Sequence, residues 1–326
     1  MKSFTVTKND ASKRLDKFIT QNCPALPSSL MFKYIRTKRI KVNGKRAEIS
    51  TRLNIGDTVD AYINDEFFAS KQPKYDFLSA PASLNVLYED ENILLADKNQ
   101  GLLVHPDKNE YNDTLIARIQ HYLYVKGEYN PEEENSFRPA LANRIDRNTG
   151  GIVIAAKNAE ALKILCDKIK HREIEKKYLA VIHGVPKKKT ALLEGFLEKN
   201  ENKNKVFLKS RKTEDSRTIK TRYTLLDSKN ELSLVEVELL TGRTHQIRAH
   251  MASIGHPLLG DGKYGKLAAD KKLGFDKQAL YSYSIKFDFK TDAGILNYLN
   301  GKRFTVNEVW FADKLFGDSY RSLLKK

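Results

Sequence analysis

Cysteine is almost missing. Two occur in 326 residues, Cys23 and Cys166, far apart and outside any C-x-x-C spacing. That leaves a disulfide framework and a cysteine-based zinc site unsupported, and it suits a reducing compartment. No run approaches the roughly eighteen apolar residues of a membrane span, so no membrane partner is expected. The opening MKSFTVTKND has no apolar h-region, and no signal peptide is expected. Internal repeats and low-complexity tracts are lacking too. These absences describe a cytoplasmic protein. Negative charge is also in short supply, with 41 Asp and Glu against 57 Lys and Arg, a formal net charge of +16. An excess of that size points to a polyanionic partner, nucleic acid first.

What is present suffices for two domains, and an apolar fraction of 40% can fill cores of ordinary size. Residues 1–65 read as a small α/β module. Arg14–Asn22 and Ser29–Thr37 carry helical patterns, with Ser28 as a plausible N-cap. Ile40–Val42 alternates like a strand and meets Asn43-Gly44, a strong hairpin-turn signal. Lys33, Arg36, Lys38, Arg39, Lys41, Lys45, Arg46 and Arg52 stand here against Glu48 alone. On a helix followed by a hairpin they form one cationic face that can track phosphates. Residues 66–82, with Pro73 and Pro81, break the periodicity and read as a linker.

Residues 83–326 then read as one larger domain. Strands are expected at Val86–Tyr88, Ile93–Ala96, Ile152–Ala156, Tyr178–His183, Thr221–Leu226, Leu232–Leu239 and Ala279–Phe289. Helices are expected at Thr114–Val125 with Asp113 as cap, Ala159–Ile169 with Asn158 as cap, Arg243–Ser253, and Asp313–Leu324. Strands and helices mix without strict βαβ alternation. That favours an α+β fold around a mixed, largely antiparallel sheet.

Three segments carry unusual polar groups. In the first, Asp146 is flanked by Arg144 and Arg147, and Thr149-Gly150-Gly151 leads into a buried strand. Nearby cations hold a carboxylate in its ionised form, which suits a nucleophile better than a general acid. The second is Glu175-Lys176-Lys177-Tyr178, entering a strand. The third is Thr241-Gly242-Arg243-Thr244-His245-Gln246-Ile247-Arg248-Ala249-His250, at a strand-to-helix turn whose N–H groups suit an anion. His245 and His250 are five residues apart, on different helix faces, and no third ligand suggests itself, so no metal site is expected. There is no G-x-S-x-G elbow. The run Gly260-Asp261-Gly262-Lys263-Tyr264-Gly265 lacks the Walker spacing and reads as a loop beside the site. The chemistry must come from Asp146, arginines and a tyrosine, without a cofactor.

The front of the chain resembles the S-four-type RNA-binding module, through R-L-D-K-F at Arg14–Phe18, the basic second helix, and I-K-V-N-G-K at Ile40–Lys45. That module usually has Gly where Lys38-Arg39 fills the turn. The three polar segments together resemble the RluA-type family of pseudouridine synthases. The family's H-R-L-D-x-x-T-S-G stands as Asn143–Gly151, K-x-Y as Lys176–Tyr178, and T-G-R-[ST]-H-Q-[IL]-R-x-H as Thr241–His250. G-H-P-[IL]-x-G-D-x-x-Y stands as Gly255–Tyr264, and G-L-x-V-H-P as Gly101–Pro106. Asn143 replaces the usual His, Gly150 the usual Ser, and Asn99 a usual Pro.

The resemblance implies a pseudouridine synthase fold and isomerisation of uridine in structured RNA, large-subunit ribosomal RNA above all. It implies Asp146 as the catalytic aspartate, Arg248 as its partner, Tyr178 against the uracil, and Arg144 entering the RNA. Arg147, Thr149, Arg243 and His245 join Arg144 as expected substrate contacts. A monomer is expected on the same footing. Two rivals use the same residues. One is a catalytically silent RNA-binding or ribosome-assembly factor on this fold. The other is a glycosidase or nucleoside hydrolase, which in most cases needs a second carboxylate.

Overall fold

The computed structural model describes residues 1–68, 75–200, 205–209, 211–265 and 267–324. Part of the expected linker lies outside them. The chain divides into two compact units, one of residues 1–84, 105–140 and 156–163, the other of 85–104, 141–155 and 164–326.

The first unit opens with β1 (Lys2–Thr5), α1 (Leu15–Asn22), α2 (Ser28–Arg36), β2 (Ile40–Val42), β3 (Lys45–Arg46) and β4 (Thr58–Ala61). The strands form an antiparallel sheet in the order β1-β4-β2-β3. Leu15, Phe18 and Ile19 from α1 and Met31 and Ile35 from α2 share a core with Ile40, Leu53 and Val59. Asn43 and Gly44 both take positive φ in the β2–β3 turn, as the Asn-Gly pair allows. Pro27, not Ser28, precedes the first turn of α2. Lys38 adopts φ 62°, the left-handed conformation that explains why glycine is usual there. Within residues 66–82, Asp76–Ser79 makes a 3-10 turn that buries Phe77 against Tyr124 and Tyr129. In α3 (Leu115–Val125) the cap is Thr114, whose Oγ1 accepts from the Ala117 N–H. Asp113 instead pairs with Arg118.

The remaining elements are β5 (Val86–Glu89), β6 (Ile93–Lys98), β7 (Ala140–Leu141), β8 (Gly150–Ala156), α4 (Ala159–Lys170), β9 (Ile174–His183), β10 (Thr190–Asn200), β11 (Lys205–Lys209), β12 (Arg217–Lys229), β13 (Leu232–Leu239), α5 (Gln246–Ser253), α6 (Leu267–Lys272), β14 (Leu280–Phe287), β15 (Arg303–Thr305), α7 (Trp310–Phe316) and α8 (Arg321–Leu324). An 11-stranded sheet runs β11-β10-β12-β13-β9-β14-β8-β6-β5, with β15 against β14 and β7 against β8. Its pairings are antiparallel along β11-β10-β12-β13-β9-β14, and parallel where β14 meets β8. This is the mixed, mostly antiparallel sheet of an α+β fold.

Each face of the sheet has its own core. On one, Tyr178, Ala180, Val235 and Val237 pack with Ile247 and Met251 of α5. On the other, Leu179, Val181 and Leu234 pack with Phe311, Ala312 and Phe316 of α7. Successive residues of β9 thus serve opposite faces. The expected terminal helix is two helices, because Gly317 takes φ 67° between α7 and α8. Among the described residues no helix is long and apolar enough to cross a membrane.

Candidate active site

Asp146 lies in irregular backbone just before β8. Its carbonyl accepts the Thr149 N–H at 3.0 Å, closing a tight turn. The carbonyl of Arg147 accepts from the Gly101 N–H at 2.9 Å and from Lys98 Nζ at 2.9 Å. Lys98 is buried, and its ammonium also donates to the carbonyls of Asn99 and Leu102. Burial pushes its pKa down to about 7, against the pull of the Asp146 carboxylate. Upstream, Asn143 Oδ1 accepts the Ile154 N–H at 2.8 Å, tying the strand of approach to β8.

The partner of the Asp146 carboxylate is Arg248 in α5. Nη1 donates to Asp146 Oδ2 at 3.0 Å. The rest of the same guanidinium grips Asp261, with Nε and Nη2 at 2.8 and 2.9 Å from its two oxygens. Asp261 is 0% exposed. Burial alone would raise its pKa. Arg248 and the N–H groups of Lys263 and Tyr264 bring it below the usual carboxylate range instead. Arg248 is therefore fixed by a buried fork, and offers its remaining corner to a carboxylate whose side chain is 24% exposed. The sequence reading placed the Asp261 loop beside the site but assigned it no role. The flanking Arg144 and Arg147 are exposed and make no hydrogen bond to Asp146 among the described residues. Arg147 Nε turns to the Gly101 carbonyl at 2.9 Å.

Tyr178 sits in β9 between Val237 and Ser282 and is 4% exposed. Burial, assisted by the charge of Asp146, pushes its phenol up to about 12, so it stays protonated at neutral pH. His245 is the residue before α5, at φ 54°. Its Nε2 is 3.8 Å from Asp146 Oδ2, and its Nδ1 is 3.2 Å from the Tyr264 hydroxyl. That hydroxyl also takes the N–H of Val206 in β11 at 3.0 Å. Burial drives the imidazole down to about 4, despite Asp146, so it is neutral at pH 7. Arg243 is exposed, and its backbone N–H goes to Gln246 Oε1 at 3.2 Å. That donor, expected to serve an anion, is thus used inside the turn. Thr149, another expected contact, is 2% exposed, and its hydroxyl accepts from Gln278 Nε2 at 3.3 Å.

His250 is buried with Nδ1 at 2.8 Å from Thr221 Oγ1, on the far side of α5 from Asp146. Among the described residues no three or more His, Cys, Asp or Glu side chains are grouped to hold a metal ion. The geometry brings together one accessible carboxylate, one anchored guanidinium, one protonated phenol and one neutral imidazole. Such a set can stabilise or trap an electrophilic sugar or base without a second acid.

The family model described as RNA pseudouridylate synthase matches residues 92–253. An uncharacterized RNA pseudouridine synthase of Mycoplasma capricolum is 31% identical over 316 residues, 96% of this chain and 99% of its own length. The ribosomal large subunit pseudouridine synthase C of Buchnera aphidicola is 32% identical, over 86% of this chain and 88% of its own. The structure of human RNA pseudouridylate synthase domain containing 1 superimposes with TM-score 0.55 at 18% identity, covering 77% of this chain and 90% of that one, a likeness of fold. With identity above 30% along nearly the whole of such relatives, this chain belongs to the RNA pseudouridine synthase family.

Proposed function

We propose that the protein isomerises specific uridines of structured large-subunit ribosomal RNA, with Asp146 as the nucleophile. The names of relatives from Buchnera aphidicola and Borreliella burgdorferi support the substrate class. The observation that carries the chemistry is the Arg248–Asp146 contact at 3.0 Å beside Tyr178. The target uridine leaves its stack, at a cost of a few kcal/mol. Asp146 attacks the extruded nucleotide, and the bond from N1 to the ribose breaks. The detached ring turns, C5 bonds to the ribose carbon as the bond to Asp146 breaks and frees the carboxylate, and the proton lost from C5 is balanced by one gained at N1. Tyr178 offers a flat face to the uracil, worth roughly 1–3 kcal/mol for a stacked base. Arg144 and Arg147, exposed beside Asp146, suit the RNA backbone or the vacated stack.

Residues 1–65 act in this proposal as the RNA anchor, 66–82 as linker and 83–326 as the catalytic domain. Lys33, Arg36, Lys38, Arg39, Lys45 and Arg46 are exposed and Lys41 half-buried, and among the described residues none of them pairs with a carboxylate. The protein works as a cytoplasmic monomer, with RNA as its partner and no cofactor. Asp146→Asn is the test. With ribosomal RNA transcribed without modifications, it should form no pseudouridine while its RNA affinity stays within a few-fold of the parent's. Turnover at the parental rate would reject the nucleophile. A parent that binds the transcript but makes no product would identify a silent binding factor, and released free uracil a hydrolase.

A further inference from the structure

Gln100 stands between Asn99, where the family usually has Pro, and Gly101, and no role has attached to it. Its amide is nevertheless a hub. Nε2 donates to the Asn148 carbonyl at 3.1 Å and to the Gln278 carbonyl at 2.8 Å. Oε1 accepts the indole N–H of Trp310 at 3.1 Å. Asn148 belongs to the turn that Asp146 closes, and Gln278 holds Thr149 of the same turn. Trp310 begins α7, is 43% exposed, and stacks on Phe275 with centroids 5.4 Å apart and planes at 16°. The adjoining space is filled as well. A Cβ on Gly150 would meet the Tyr281 ring at 2.4 Å and Gln100 Cγ at 3.3 Å. The departure from Ser at 150 and the long side chain at 100 therefore belong to one packing arrangement.

We infer that Gln100 is a positioning residue for Asp146, and that Trp310 orients it, making α7 part of the support of the reactive carboxylate. The inference rests on the reading of Asp146 as the reacting group. The reason is geometric. Lys98 and the Gly101 N–H fix the Arg147 carbonyl, while Gln100 fixes the next carbonyl. Both sit on the turn that aims the carboxylate. Without the Gln100 amide, the second carbonyl loses its donor and the turn can rotate about the first. A misplacement near 1 Å can cost on the order of 10²-fold in rate.

Three variants test this. Gln100→Leu removes all three bonds. Gln100→Glu keeps an acceptor for Trp310 but gives no N–H to the two carbonyls. Trp310→Phe keeps the stack on Phe275 and removes only the indole donor. Single-turnover rates and dissociation constants are measured on the unmodified transcript, well below each variant's melting temperature. Gln100→Leu and Gln100→Glu should lose about tenfold or more in rate with affinity within twofold of the parent. Trp310→Phe should lose severalfold. Trp310 is the sole tryptophan of the chain, so its emission reports the indole–amide bond without any turnover. Its spectrum should change in Gln100→Leu. The inference is overturned by an unchanged spectrum, by variant rates within twofold of the parent, or by a loss that lies wholly in affinity. A parent without product would instead strike the functional reading itself.

Discussion

Arg248 serves two carboxylates, and neutralising each should have a different consequence. Asp261 is wholly buried against the guanidinium, so Asp261→Asn leaves a buried cation short of its main partner. Breaking a buried pair typically costs about 3–5 kcal/mol. The variant should unfold at markedly lower urea, and lose turnover as Arg248 shifts. Asp146 is partly exposed, so Asp146→Asn should move stability by no more than about 1 kcal/mol while abolishing product. Equal urea midpoints for the two variants would contradict this division. The histidines predict a pH dependence. Burial holds His250 and His245 near 4 in the folded state, against an unfolded value of 6.5. Between those values the unfolded chain binds more protons, so stability falls as pH drops from 6.5 toward 4 and is unaffected by these groups above 6.5. His250→Asn keeps a partner for Thr221 but cannot titrate. It should flatten that slope by up to about 1.4 kcal/mol per pH unit, as thermal melts across the window will show.

At the scale of the element, β8 and β14 meet so closely that only glycine fits at 150 and 151. A Cβ on Gly151 would lie 2.2 Å from the Ser282 carbonyl, and its φ is 106°. Gly150→Ser, although it restores the family's usual residue, should cost about 1–3 kcal/mol by overpacking against Tyr281. Adding Tyr281→Leu should recover part of that cost. A fully additive double variant would mean the two do not touch in solution. The glycine pair was legible as leading into a strand, but both glycines stand in the strand itself and the turn before it is Asp146–Thr149. Helix existence was readable from apolar stripes, as in α4, where Asn158 Oδ1 caps the Ala161 N–H. Strands read less well. β12 extends four residues before Thr221 because Arg217–Lys220 pair with Leu197–Glu194 of β10. β10 hides behind Gly195, where a Cβ would be 2.9 Å from Leu208. In the site, Asp146, Tyr178 and Arg248 were legible through a family pattern. The Asp261–Arg248 fork, the Lys98–Arg147 contact and the Gln100 hub were not, because they join residues from 13 to 210 positions apart. The supposed pairing of Asp146 with Arg144 and Arg147 mistook neighbours along the chain for neighbours in space.

For the whole molecule the deciding quantity is where the +16 of formal charge acts. Among the described residues no basic side chain of α2, β2 or β3 forms an ion pair, and Arg39 lies over the Tyr34 ring at 4.8 Å and Lys41 over Tyr62 at 5.2 Å. Cations held on aromatic faces keep their N–H groups available to phosphate oxygens. Arg144 and Arg147, by contrast, flank Asp146 in sequence, and under the proposed function they and Arg243 meet the RNA only where the target uridine opens. The two sets should separate in a salt titration. Replacing Lys33, Arg36, Arg39 and Lys45 by Gln should weaken RNA binding and reduce the log–log salt slope by as much as about 0.7 for each phosphate no longer neutralised. The single-turnover rate at saturating RNA should hold, since the binding removed is common to ground and transition states. Replacing Arg144 by Gln should do the reverse, lowering the saturated rate with little change of slope. An unaltered slope in the first variant would move the anchoring surface elsewhere on the chain, whereas a diminished rate there would make the basic face part of catalysis.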